Sequence, residues 1–278
     1  MASPERSADL PLIYTPNNAT VDLLVPICHA GWVDAPIRYF SGHHRVMSVI
    51  LRGVTTVLLP GTGSDDDYVY RAFSDALHAE GAVVVTPKPQ PERLIEGYHD
   101  ALDNAARTAP IAVGGVSIGA AVAAAWALAH PDRVVAVLAG LPAWTGAPDT
   151  APAAIAARYS ASVLRRDGLA SATAQMREGS PPWLADELTR SWVGQWPSLP
   201  DAMDTAAAYV APTCSELERL AVPMGIASAT DDPVHPVEVG IEWMTAAPRA
   251  ALRTITLDEL GADPAVLGAA CVSALLEA

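Results

Sequence analysis

Short runs of β-branched and aliphatic residues alternate with longer stretches in which apolar positions recur every three or four residues. The apolar runs at 46–51, 54–59, 82–86, 111–113 and 134–138 lack polar alternation and predict strands covered on both faces. Between them, a helix is expected after Ser64-Asp65-Asp66-Asp67, whose carboxylates suit a helix N-terminus. Another is expected from 91 to about 107, with Leu94, Ile95, Tyr98 and Leu102 on one face. This rhythm implies βαβ units, and hence an α/β fold with a mostly parallel, doubly wound sheet.

After 138 the strand rhythm stops for some eighty residues, while Ala, Trp and Pro accumulate. The segment predicts a helical cap insertion over 142–220, with helices at 151–167, 169–177, 182–192 and 199–210. Its Trp144, Trp183, Trp192 and Trp196, with Met176 and Met203, either line an apolar pocket or anchor the cap to the sheet. Strand signals return at 223–229 and 252–257, and a closing helix is expected at 264–276. The core is therefore expected from 1–141 and 221–278.

The formal net charge of −14 and a single lysine, Lys88, argue against a nucleic-acid partner, which needs clustered cations to neutralise phosphates. Cys28, Cys214 and Cys271 are widely spaced, show no metal-ligand pattern and fit a reducing cytosol. The longest apolar run, 120–129, is far below a membrane-spanning length, and the N-terminus lacks a signal pattern. A cytoplasmic protein without membrane partner, metal or cofactor is expected. The acidic run Asp65-Asp66-Asp67 fits this, since consecutive carboxylates in a helical first turn fan outward instead of converging on a cation.

The chemistry concentrates at Gly115-Val116-Ser117-Ile118-Gly119, between the apolar run at 111–113 and the Ala-rich stretch at 120–129. A strand turning sharply into a helix can present a serine at its tip only if the flanking positions are small, which makes Ser117 the candidate nucleophile. Leu58-Leu59-Pro60-Gly61-Thr62-Gly63 runs a strand into a glycine loop, and Thr230-Asp231-Asp232-Pro233-Val234-His235-Pro236 follows a later strand.

In chain order, the glycine loop, the elbow, the helical insertion and the acidic loop resemble the α/β-hydrolase superfamily over roughly residues 50 to 276. The resemblance implies a Ser117 nucleophile and an oxyanion hole formed by the amides of Thr62 and Ile118. It also implies an acid at Asp232, which has the proline four residues on that the family's acid loop carries. The family's base histidine, expected just before the final helix, is missing: the matching stretch is Leu260-Gly261-Ala262-Asp263-Pro264, with Ala262 in its place, and no histidine follows His235.

His235 is the best substitute base because it shares the loop of Asp232, although a solvated loop histidine is the simpler reading. His43 and His44 fit a polar turn, His130 a structural helix end, and His78 and His99 the covering helices. The expectation is thus a serine hydrolase acting on a small ester, thioester or related acyl substrate, weak or atypical for want of the usual histidine. The alternatives are a non-catalytic small-molecule binding protein, or a lyase or cyclase on the same scaffold.

Overall fold

A computed structural model describes residues 49–278. Cys28, His43, His44 and the start of the strand expected at 46–51 lie outside the described residues. The rest of that strand is absent: the Val54 amide donates to the Leu51 carbonyl at 2.9 Å, with Gly53 at φ 74°, so residues 51–54 make a tight turn.

Six strands follow, β1 (Thr55–Leu59), β2 (Val83–Val85), β3 (Ile111–Val116), β4 (Val134–Gly140), β5 (Met224–Ala229) and β6 (Ala250–Ile255). They form one sheet in the order β2-β1-β3-β4-β5-β6, every pairing parallel. β3 and β5 are buried along their whole length, which is why they read as apolar runs, broken in β5 by Ser228 alone. β6 ends at Ile255, short of the expected 257, because Thr256 caps a helix: its hydroxyl accepts from the Glu259 amide while Glu259 reaches back to the Thr256 amide.

One face of the sheet is covered by α1 (Asp66–Ala79) and the closing α10 (Ala265–Glu277), whose Phe73, Leu77, Leu267 and Cys271 share a core with Leu58 and Leu138. The other is covered by α2 (Leu94–Ala105), α3 (Ile118–Ala129) and α8 (Val237–Ala246), through Tyr98, Leu102, Val122 and Trp243. This is the doubly wound α/β arrangement that the pattern predicts.

Four helices intervene between β4 and β5: α4 (Pro152–Glu178), α5 (Pro182–Gln195), α6 (Leu199–Ala207) and α7 (Cys214–Leu217). α4 spans the two helices expected at 151–167 and 169–177, with a kink where Gly168 adopts φ 76° and ψ 172°. α8 and the short α9 (Leu257–Ala262) have no counterpart in the sequence reading. Among the described residues, no helix is long and apolar enough to cross a membrane.

Candidate active site

The strand order reverses at β1: β2 lies on one side and β3 on the other. In parallel sheets such a reversal opens a crevice at the carboxyl ends of the strands. Both glycine-rich motifs converge there.

β3 ends at Val116 and α3 begins at Ile118, leaving Ser117 alone at the turn with φ 56° and ψ −118°. For a residue with a Cβ this conformation costs on the order of 1–3 kcal/mol and persists only where surrounding bonds impose it. Here the Ser117 amide donates to Gly140 O at 2.9 Å and its carbonyl accepts from the Ala121 amide at 3.2 Å. The flanking glycines are fixed by β1: a Cβ on Gly115 would stand 2.4 Å from the Leu59 carbonyl oxygen, and one on Gly119 only 2.2 Å from the same atom. The loop after β1 therefore lies directly against the elbow. Buried Tyr98 anchors it by donating to the Pro60 carbonyl at 2.9 Å.

That loop turns back with the Ser64 amide donating to Gly61 O at 3.1 Å and Gly63 at φ 69°. Thr62 and Ser117 line one cavity. The Ile118 amide, first in α3, has no carbonyl partner within its helix and carries the positive end of the helix dipole.

The third contribution comes from the loop after β5. Asp232 Oδ1 accepts from the amides of Val234 at 2.8 Å and His235 at 3.2 Å, a turn stabilised by the aspartate's own side chain. Pro236 then bars His235 from helical geometry before α8 starts at Val237. The fold-back carries the imidazole over the carboxylate: His235 Nδ1 lies 2.7 Å from Asp232 Oδ2, and His235 Nε2 lies 3.0 Å from Ser117 Oγ. Ser117 is 6% exposed, and the side chains of Asp232 and His235 are 9% and 17% exposed. Burial alone would raise the Asp232 pKa, but the His235 ring and the two backbone amides outweigh it and hold the carboxyl down at about 2. An ionised Asp232 only accepts, so Nδ1 carries the proton and Nε2 is free to accept from the Ser117 hydroxyl.

The reading of His235 as a solvated loop residue is thus corrected. Asp231, disfavoured by its spacing, turns the other way, and its Oδ1 accepts from the Leu257 amide at 2.8 Å. The significance given to Ala262 is corrected too. The capping box at Thr256 and Glu259 starts α9 immediately after β6, so Ala262 ends that helix, exposed and outside the cavity lining. From this helix Leu257 and Leu260 are the residues that reach the cavity. His130 is structural as expected: its Nδ1 bonds the Trp126 carbonyl at 2.9 Å and its ring stacks on Trp126.

The cavity holds about 230 Å³. Met176 of α4, Trp183 and Trp192 of α5 and Met203 of α6 line it, whereas Trp144 is buried with its indole donating to Tyr209 O at 3.2 Å, and Trp196 is 40% exposed. Of the four tryptophans in this segment, Trp183 and Trp192 thus line the cavity and Trp144 and Trp196 do not. Beside the cavity α5 is tied to the start of α1. Arg71 Nη2 donates to both carboxylate oxygens of Glu187 at 2.8 Å, Arg190 meets Asp65 at 3.0 Å, and Gln195 donates to Ser64 O at 2.9 Å. Asp65 also caps α1 through the Tyr68 amide at 2.9 Å, as the acidic run suggests. Tyr68 and Glu187 are cavity residues that the sequence reading does not single out. The only local signal for Tyr68 is its place three residues after the capping Asp65.

No protein-family model matches the sequence, and no curated protein matches it. Solved structures do. A putative non-heme bromoperoxidase from Mycobacterium tuberculosis aligns with a TM-score of 0.59 at 17% identity, over 85% of this chain and 100% of that one. An enol-lactonase from Burkholderia xenovorans aligns with a TM-score of 0.56 at 20% identity, over 74% and 84%. A thermophilic esterase from Thermogutta terrifontis aligns with a TM-score of 0.56 at 18% identity, over 74% and 82%. At these identities the likeness is one of fold.

Proposed function

We propose that this chain, an α/β-hydrolase by fold, is a serine hydrolase acting on a small ester, thioester or related acyl substrate. The observation that carries the reading is the 3.0 Å contact between His235 Nε2 and Ser117 Oγ, with Asp232 2.7 Å behind the ring. Its structural neighbours, which include a lactonase and an esterase, support the same class.

Ser117 Oγ attacks the substrate carbonyl while His235 Nε2 takes its proton. The resulting oxyanion sits against the amides of Ile118 and Thr62, each such donor contributing roughly 3 to 4 kcal/mol in the transition state. The imidazolium, supported by Asp232, returns the proton to the leaving alkoxide or thiolate. Water, deprotonated by the same nitrogen, then attacks the acyl-enzyme carbonyl; Ser117 leaves with that proton, and the acid is released. The helices between β4 and β5 act as a cap whose apolar side chains receive the acyl chain. With the base supplied by His235, turnover at ordinary enzymatic rates is expected, without a cofactor.

The test is hydrolysis of 4-nitrophenyl butanoate by the parent, Ser117→Ala and His235→Ala, with labelling of Ser117 by an alkyl fluorophosphonate that forms a P–O bond and releases fluoride. Activity and labelling confined to the parent support the proposal. Equal rates in all three, with no label on Ser117, overturn it in favour of a binding protein.

A further inference from the structure

Tyr68 lies in the first turn of α1 and lines the Ser117 cavity, yet the reaction proposed above leaves it without a task. It is 9% exposed, and the Arg71 guanidinium lies 5.7 Å from its ring centroid. A buried phenol ordinarily finds a hydrogen-bond partner. The Tyr68 hydroxyl bonds to none of the described residues. Among those residues, the fully enclosed side-chain polar atoms that lack partners are those of Thr56, Thr173, Trp192 and Ser228; Tyr68 is not one of them, so its hydroxyl keeps open space before it. Tyr68 borders open space in the Ser117 cavity. Burial and the Glu187 carboxylate push its pKa up against the opposing charge of Arg71, with Asp232 adding to the rise, so the phenol stays a protonated donor.

Charge narrows what it can meet. Asp65, Glu187 and Asp232 line the cavity, while no lysine or arginine among the described residues does. Arg71 and Arg190, which do not line it, are paired with Asp65, Asp67 and Glu187. An anionic substrate would find no lysine or arginine in the described cavity wall to pair with.

We infer that the Tyr68 hydroxyl donates to a second, uncharged acceptor oxygen on the substrate, so that the site selects neutral oxo- or alkoxy-bearing esters and lactones over hydrocarbon esters and over esters carrying a carboxylate. This rests on the serine-hydrolase reading for the pose of the ester, but its binding can be read separately.

Three probes of similar size separate the contributions: ethyl 4-oxopentanoate, ethyl pentanoate and the anion of monoethyl butanedioate. Hydrolysis is followed in the parent and Tyr68→Phe. Binding is followed by tryptophan fluorescence in Ser117→Ala and Ser117→Ala/Tyr68→Phe, which keep Trp183 and Trp192 in the cavity wall. A single neutral hydrogen bond predicts that Tyr68→Phe weakens the oxo ester by about three- to tenfold and leaves ethyl pentanoate unchanged. The anion binds weakest throughout. Equal weakening of oxo ester and pentanoate would make Tyr68 structural and overturn the inference. So would the absence of any preference for the oxo ester in Ser117→Ala, including no binding at all, or a preference for the anion. If the parent hydrolyses neither neutral ester while the binding preference and its loss in Tyr68→Phe persist, the hydrolase reading fails and the donor role of Tyr68 stands.

Discussion

His235 Nε2 reaches within 3.0 Å of Ser117 Oγ across 118 residues of sequence, and it does so from the loop that also holds Asp232. Asp232 and His235 thus share one turn after β5, tied by the Asp232 side chain to two of the turn's own amides. Their mutual geometry is set locally. Only the distance from that turn to the elbow depends on the sheet, across β4, the single strand between β3 and β5.

Asp232→Asn should isolate the electrostatic part of this arrangement. The amide oxygen can still accept from the Val234 and His235 amides, so the turn is retained, but the side chain no longer fixes Nδ1 as the protonated nitrogen. Turnover on an aryl ester is expected to fall on the order of 10⁴-fold with KM little changed. A loss below tenfold would show that Asp232 does not set the tautomer.

The same carboxylate links stability to pH. Its pKa is lowered from 3.8 to about 2 in the folded chain, so the unfolded chain binds the proton more readily. The stabilisation, about 2 kcal/mol, is therefore fully present above the unfolded value and is lost as pH falls through the folded one. Denaturant midpoints of the parent and Asp232→Asn should converge as pH falls from about 4 to 2. A difference that grows on acidification would contradict the assignment.

What is legible in the sequence follows from how local each feature is. β3 and β5 are buried on both faces and announce themselves as apolar runs, and Gly115 and Gly119 are dictated by the backbone of Leu59. His235 is easily undervalued because its contact with Ser117 joins positions that only the sheet brings near. Ala262 is easily overvalued because a six-residue helix, set by the side-chain bonds of Thr256 and Glu259, takes it away from the site. Tyr68 escapes notice because a tyrosine on an amphipathic helix reads as core; its open hydroxyl is a property of the cavity alone.

Two histidine variants test that correction. Ala262→His places an imidazole on an exposed helix end outside the cavity, so the initial rate on one activated ester should match the parent. His235→Ala should lower turnover by up to about a million-fold, leaving the roughly thousand-fold residue that oxyanion stabilisation and binding provide over water. A rise in rate for Ala262→His, with activity retained in His235→Ala, would mean that the base is not His235.

Gly119→Ala probes the contact on which the elbow is built. The added methyl would lie 2.2 Å from the Leu59 carbonyl oxygen and 2.8 Å from that of Pro60, and backbone at a strand end cannot swing aside as a flexible side chain can. Relief requires the start of α3 to move away from the loop after β1, carrying the Ser117 turn and the Ile118 amide with it. Overpacking of this kind costs about 1–3 kcal/mol or more. Gly194→Ala is the matched control: it lies in α5, where an added methyl would meet nothing within 4 Å, and helix propensity predicts a gain of up to about 1 kcal/mol. Thermal midpoints should therefore fall for Gly119→Ala and hold or rise for Gly194→Ala. The fraction of Gly119→Ala that remains folded should also lose turnover, because a displaced amide no longer faces the oxyanion. If Gly119→Ala melts with the parent and keeps its rate, the tight apposition of Leu59 and the elbow is not what positions Ser117.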